Sequence, residues 1–167
     1  MERANIDAEP GFADPLDLVE QILSLEGYVF ERAEDSEVHF GLPGQWADLH
    51  GFFASRAEPP TLSLTLGLDL RVPAGRVNDC CRLIALINEQ MWIGHFDFWP
   101  KEGVAMHRHG LILTGGAQPS ATQCAALLDN ALQSCERHYQ AFQFVLWAGK
   151  SAREALASAN FETKGEA

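Results

Sequence analysis

Thr61-Leu62-Ser63-Leu64-Thr65-Leu66-Gly67-Leu68-Asp69-Leu70-Arg71-Val72 alternates leucine with small or polar residues. Successive side chains of a strand point to opposite faces, so the five leucines share one face. Ser63, Thr65, Gly67, Asp69 and Arg71 share the other. One face is therefore core, and the other is wet or covered by something polar. This is the clearest strand in the chain, and it predicts a sheet with a single greasy side.

The flanking sequence extends that sheet. Glu58-Pro59-Pro60 reads as a turn into the leucine strand. Residues 47–56 read as the preceding strand, entered through Pro43-Gly44. There Leu49, Phe52 and Phe53 break strict alternation, which predicts a bulge near Gly51. Residues 37–42 and 28–32 read as two more strands around the turn Ala33-Glu34-Asp35-Ser36. Ahead of them Asp14-Pro15 opens a helix, with Asp14 as N-cap and proline in the first turn. Leu16, Val19, Ile22 and Leu23 face the core, and Gly27 ends the helix.

Downstream, Pro73-Ala74-Gly75 breaks the sheet. Residues 76–91 read as a helix burying Val77, Cys80, Cys81, Ile84, Ile87 and Met91. After Gly94 comes a hairpin, residues 95–100 and 104–114 around Lys101-Glu102-Gly103. Pro119-Ser120 opens the last long helix, running to Ala148 with Cys124, Leu127, Leu128, Ala131, Cys135, His138, Tyr139, Phe142 and Leu146 on its apolar face. At about 28 residues it spans about 42 Å, long enough to overhang a small domain. The predicted class is α+β. The order α-β-β-β-β-α-β-β-α forms an antiparallel sheet with helices packed on one face. Residues 1–14 are expected to be a flexible N-terminus and 15–148 one domain. Residues 149–167 are expected to form a short helix and a disordered tail.

Composition narrows the function. The chain has 167 residues, 47% hydrophobic, with 23 acidic and 12 basic residues and a net charge of −11. A field of that sign repels phosphate backbones and anionic lipid, so neither nucleic acid nor membrane is an expected partner. The N-terminus lacks the basic start and apolar run of a signal peptide, and a cytoplasmic location is expected. Cys80 and Cys81 are adjacent, and Cys124 and Cys135 lie on one predicted helix. No CxxC pair occurs, so all four are expected to be reduced, with Cys81, Cys124 and Cys135 as small packing residues.

Chemistry has one place to hide. In the hairpin Gly94-His95-Phe96-Asp97-Phe98-Trp99, His95 and Asp97 share a face. In Met106-His107-Arg108-His109, the two histidines share a face. If Pro100 pairs with Val104, His95 lies opposite His109 and Asp97 opposite His107. Such a cluster could hold a metal or small ligand, or serve as an acid–base pair. A slip of one residue breaks it. Gly115-Gly116 stands where a phosphate loop would, but no GxxxxGK[ST] or GxGxxG accompanies it. Trp92, Phe96, Phe98 and Trp99 form one aromatic group, and Trp46, Phe52 and Phe53 another. More aromatic surface than a small domain readily buries points to an interface and to self-association. No cofactor and no catalytic residue is expected. The leading reading is a non-enzymatic, homodimeric protein-binding module. A metal- or small-ligand-binding enzyme at His95, Asp97, His107 and His109 is the alternative.

The stretch Leu86-Ile87-Asn88-Glu89-Gln90-Met91-Trp92-Ile93-Gly94-His95-Phe96-Asp97, followed by Met106-His107-Arg108-His109, resembles the YbjN family. Leu66-Gly67-Leu68-Asp69-Leu70-Arg71-Val72-Pro73 carries the same likeness. These are bacterial proteins labelled sensory transduction regulators. The resemblance covers residues 15–148. It implies a fold similar to type III secretion chaperones, a curved antiparallel sheet with helices, often dimeric. It carries over no catalytic residue.

Overall fold

The leucine face is the centre of the molecule. In the computed structural model, which describes residues 14–162, Leu62, Leu64, Leu66, Leu68 and Leu70 are buried to 2% exposure or less. They belong to β4 (Pro60–Arg71). Around it stand β1 (Val29–Ala33), β2 (Glu37–Leu42), β3 (Leu49–Ala57), β5 (His95–Trp99) and β6 (Val104–Ile112), in the order β1-β2-β3-β4-β6-β5. All pairings are antiparallel. The helices α1 (Pro15–Leu25), α2 (Val77–Asn88) and α3 (Ala121–Leu146) lie on the leucine-face side of the sheet, and α4 (Ala152–Glu162) packs on α2 and α3. The expected element order and α+β class are those observed. The expectations for residues 1–13 and 163–167 fall outside the described residues.

A bulge exists, but not near Gly51. β3 keeps unbroken register with both neighbours, Phe53 pointing inward and Phe52 outward. A Cβ at Gly51 would collide with the Thr65 carbonyl and crowd Leu66 and Phe40. Gly51 is therefore a close-approach position, and its missing side chain explains the apparent break in alternation. The irregularity lies in β4, where Gly67 pairs with Met106 and Arg71 with Val104. Four residue steps on β4 span two on β6, and Asp69 takes a left-handed φ of 52°. The excess is even, so Leu68 and Leu70 stay on the core face.

The helix ends follow local chemistry. Asp14 accepts the Leu16 N–H at 2.9 Å. Arg32 of β1 reaches Asp14, and Asp17 at 2.7 Å, tying α1 to the sheet edge. α2 stops at Asn88, short of the expected Met91, because Asn88 serves the sheet. Its Nδ2 donates to the Phe96 carbonyl at 2.9 Å, and its Oδ1 accepts the Phe96 N–H at 2.8 Å. The α2 core stripe is Cys80, Leu83, Ile84 and Ile87. Cys81, expected inside, is exposed, since a 100° step carries it off the stripe that Leu83 continues. The buried thiols of Cys80, Cys124 and Cys135 are pushed up to about 12, 11 and 12 by desolvation.

α3 begins in a capping box between Ser120 and Gln123, at 3.1 and 2.9 Å. It does not overhang. Its buried residues run from Cys124 to Leu146 because α1, the sheet, α2 and α4 cover it along its length. Arg76 closes its far end, donating to the carbonyls of Val145 at 2.8 Å and Lys150 at 3.0 Å. α4 then packs back through Ala152, Ala155 and Ala159.

Asn88→Ala leaves the Phe96 N–H and C=O without their side-chain partner at the sheet edge. A loss of about 1–3 kcal/mol is expected, measured by urea unfolding, with faster aggregation as edge strand β5 loses its plug. A stability equal to that of the native chain would contradict this role.

Candidate functional site

The turn decides what the hairpin histidines can do. Gly103 donates its N–H to the Trp99 carbonyl at 2.8 Å, and Trp99 pairs with Val104. The turn therefore takes four residues, 100–103, where three were expected. The register slips by one. His95 lies opposite Arg108, Asp97 opposite Met106, and Phe96 opposite His107. Phe96 then enters the core at 1% exposure, and its burial favours this register over the expected one.

The slip divides the expected cluster between two faces. His95 and Asp97 turn outward, and His107 and His109 turn toward the helices. Asp97 is occupied locally. It accepts from Arg108 at 3.0 Å and from the Phe98 N–H at 2.8 Å. The acid–base pairing of Asp97 with His107 and the four-residue metal cluster are both corrected by this geometry. Among the described residues no three His, Cys, Asp or Glu side chains converge on a point where a metal could sit.

What the inner face holds instead is a neutral histidine. His107 is fully buried, and neither ring nitrogen has a hydrogen-bond partner. Its ring stands T-shaped to that of Phe96 at 5.5 Å between centroids, and His138 of α3 stands T-shaped to the same phenyl ring at 5.5 Å. Burial pushes the His107 imidazole down to about 4, with the charges of His109, His95 and His138 adding to the effect. His109 is lowered by burial and by His95. His138 is lowered by burial, although its Nδ1 donates to the Ser134 carbonyl at 2.9 Å. Sequence reading placed His138 in an apolar helix stripe and did not join it to the hairpin. Its only signal was a polar ring at a core position.

Among the described residues no helix packs on the outward face of the sheet. Phe52 stands at its middle, stacked on His39 at 5.2 Å and tilted against Trp99 at 6.2 Å. Met106, on the same face, is 2% exposed although it faces away from the leucine core. Phe52 and Trp99 form a ridge between two troughs. One, of about 600 Å³, has a floor of Ala54, Ser63, Thr65 and Gly110 with Arg56 and Arg108 at its walls. The other, of about 320 Å³, runs over Gly51 and Gly67 between Arg71 and Glu102. The small alternate residues of β4 thus make the floor of an open groove.

Elsewhere the expected aromatic surplus is visible. Trp92 is 99% exposed and Ile93 52% exposed. Both lie in the connection from α2 to β5, beside a groove of about 380 Å³ lined by Met91, Gln133, Arg137 and Leu156.

The depressed His107 value makes stability depend on pH. Below the ordinary imidazole value of 6.5 the unfolded chain takes up a proton that the seated ring refuses until about 4. The stabilisation of the neutral ring is therefore complete above pH 6.5 and is lost as pH falls toward 4. The loss is on the order of 3 kcal/mol in full, and up to about 2 kcal/mol by pH about 5. Urea unfolding at neutral and mildly acidic pH is expected to show it. His107→Phe should remove most of the difference, and an unchanged pH dependence in that variant would contradict the assignment.

No curated protein matches the chain. Its fold is similar to that of a chain in the crystal structure of the ExsC–ExsE complex, with a TM-score of 0.54 and 18% identity, covering 74% of this chain and 89% of that chain. At that identity the likeness concerns the fold alone. The expectation of a secretion-chaperone-like architecture, drawn from the sequence, agrees with this six-stranded antiparallel sheet and its helical layer. Residues 15–144 match the family described as "YbjN: Putative bacterial sensory transduction regulator". With most of its length inside that match, the chain belongs to the YbjN family.

Proposed function

We propose that the protein is a non-enzymatic protein-binding module, regulatory or chaperone-like, that works as a homodimer in the bacterial cytoplasm. The observation that carries the binding role is the uncovered sheet face. An aromatic ridge over a floor of Ala, Ser, Thr and Gly offers apolar contact and open backbone relief to an extended segment or helix of another protein. The family description is regulatory, and the similar fold occurs in a protein–protein complex, both of which support the reading. Residues 15–148 act as the binding domain, with α4 appended. Among the described residues no helix is long and apolar enough to cross a membrane.

Charge acts at two ranges. The net charge of −11 steers partners with basic surfaces from a distance. The trough itself is mixed, with Arg56, Arg71 and Arg108 near Glu37 and Glu102. Arg108 is already paired with Asp97. Contact specificity at the face then comes from Phe52 and Trp99 more than from net charge.

Affinity capture from a bacterial lysate with mass spectrometry, followed by titration of the recovered protein, tests this. The Phe52→Ala/Trp99→Ala double variant is expected to bind about tenfold or more weakly, the loss typical of removing aromatic anchors. Its fold should be retained. Recovery of no partner above background, or equal binding by the double variant, would remove the sheet face from consideration.

Self-association has its own supporting observation in Trp92 and Ile93, exposed together beside a groove. Sedimentation equilibrium should show a dimer whose dissociation constant rises with Trp92→Asp. A strictly monomeric native chain would end the homodimer reading and leave the sheet-face reading standing.

A further inference from the structure

The connection between α2 and β5 is fastened at both ends and loose in the middle. Backbone bonds hold Glu89 to Ala85, Gln90 to Ile87 and Met91 to Asn88, at 3.1, 3.0 and 3.2 Å. Ladder pairing resumes at His95. Between them Trp92 and Ile93 are exposed, and Gly94, with φ of 68°, lies over the His107 ring. A Cβ at Gly94 would strike His107 Nε2 and come within 2.6 Å of Cε1. The glycine is thus required twice, by its left-handed backbone and by the ring beneath it.

We propose that His107 is an acid-sensitive latch for this connection: the neutral ring is its seat, and the protonated ring unseats residues 92–94 and exposes itself to water. Protonation adds one proton from solvent to a ring nitrogen and makes both nitrogens donors. Neither has an acceptor in the seat. The groups facing the ring offer no compensation. From β6 comes His109 and from α3 His138 with Arg137 beside it, while His95 of β5, on the outward face, acts on the ring through its charge alone. All are basic, and acidification turns the histidines into like charges. β4 contributes Leu66, the ladder partner of His107. Asp97 of β5 points to the opposite face and is paired with Arg108. Glu136 of α3 is bound to the Gln45 N–H at 2.7 Å.

The connection is the part that yields. β6 is held by ladders on both sides, to β4 and to β5, and cannot swing the ring out without breaking the sheet. α3 is buried along its length. Residues 92–94 carry no ladder and bury little, so lifting them is the least costly way to let water reach the imidazolium. Trp92 and the groove beside it would move with the latch. The latch depends on the seat of His107 and not on the binding role proposed above.

Amide hydrogen exchange by mass spectrometry on the full-length protein tests it, at low micromolar concentration because the chain is near its isoelectric point of 4.8. Between pH about 7.5 and about 4.5, peptides covering residues 89–95 are expected to exchange about tenfold faster than the change in chemical rate alone. Peptides from β4 and α3 should not. Exchange at the imidazole C2 proton, read in the same samples, should show His107 titrating far below an exposed histidine. His107→Phe should abolish the acid response of residues 89–95. If that variant fails to fold, Gly94→Ala, which crowds the seat, should move the response to higher pH. The latch is overturned if the connection stays protected while His107 titrates, or if His107 titrates like an exposed histidine. It is equally overturned if the response persists in His107→Phe, or if β4 opens with the same midpoint.

Discussion

Everything in this fold hangs on the burial of one strand face under one helix. Leu62, Leu64, Leu66, Leu68 and Leu70 need a cover, and among the described residues α3 is the longest helix and the one that packs on β4 and β6. Cys135 of α3 approaches the Leu66 carbonyl to 4.0 Å, which shows how close helix and sheet come at the centre. Each buried leucine is worth about 1.5–3 kcal/mol relative to exposure. α1, α2 and α4 then seal the flanks of α3, and among the described residues nothing covers the other side of the sheet.

That asymmetry makes parity the governing constraint. A one-residue shift in any strand would turn its apolar set to water. The molecule tolerates an irregularity in β4 because the excess is even. In the hairpin it accepts a longer turn, which places Phe96 inside. The same choice seats His107 inside, without a partner for either nitrogen. A polar ring in the core is the consequence of satisfying a phenylalanine next to it across the ladder.

The two faces therefore carry different chemistry. On the inner face, histidines are kept neutral by desolvation and by one another. On the outer face, Arg108 and Asp97 satisfy each other, and Phe52 and Trp99 stand over a floor too small to fill the space beneath them.

The strand at residues 61–72, the cap at Asp14, the start of the last helix at Pro119-Ser120, and the helical stripes of α1 and α3 were legible in the sequence. Each is set by residues within one or two turns of each other, through period and local hydrogen bonding. The turn length at 100–103, the use of Asn88 as an edge plug, the absent side chain at Gly51 and the meeting of His107 with His138 were not. Each depends on a partner that sequence distance hides: Phe96 for Asn88, Phe40 and Leu66 for Gly51, α3 for the hairpin. Alternation announces that a strand has two faces. Only packing decides which residues share one, because a single step of register reverses every side chain at no local cost.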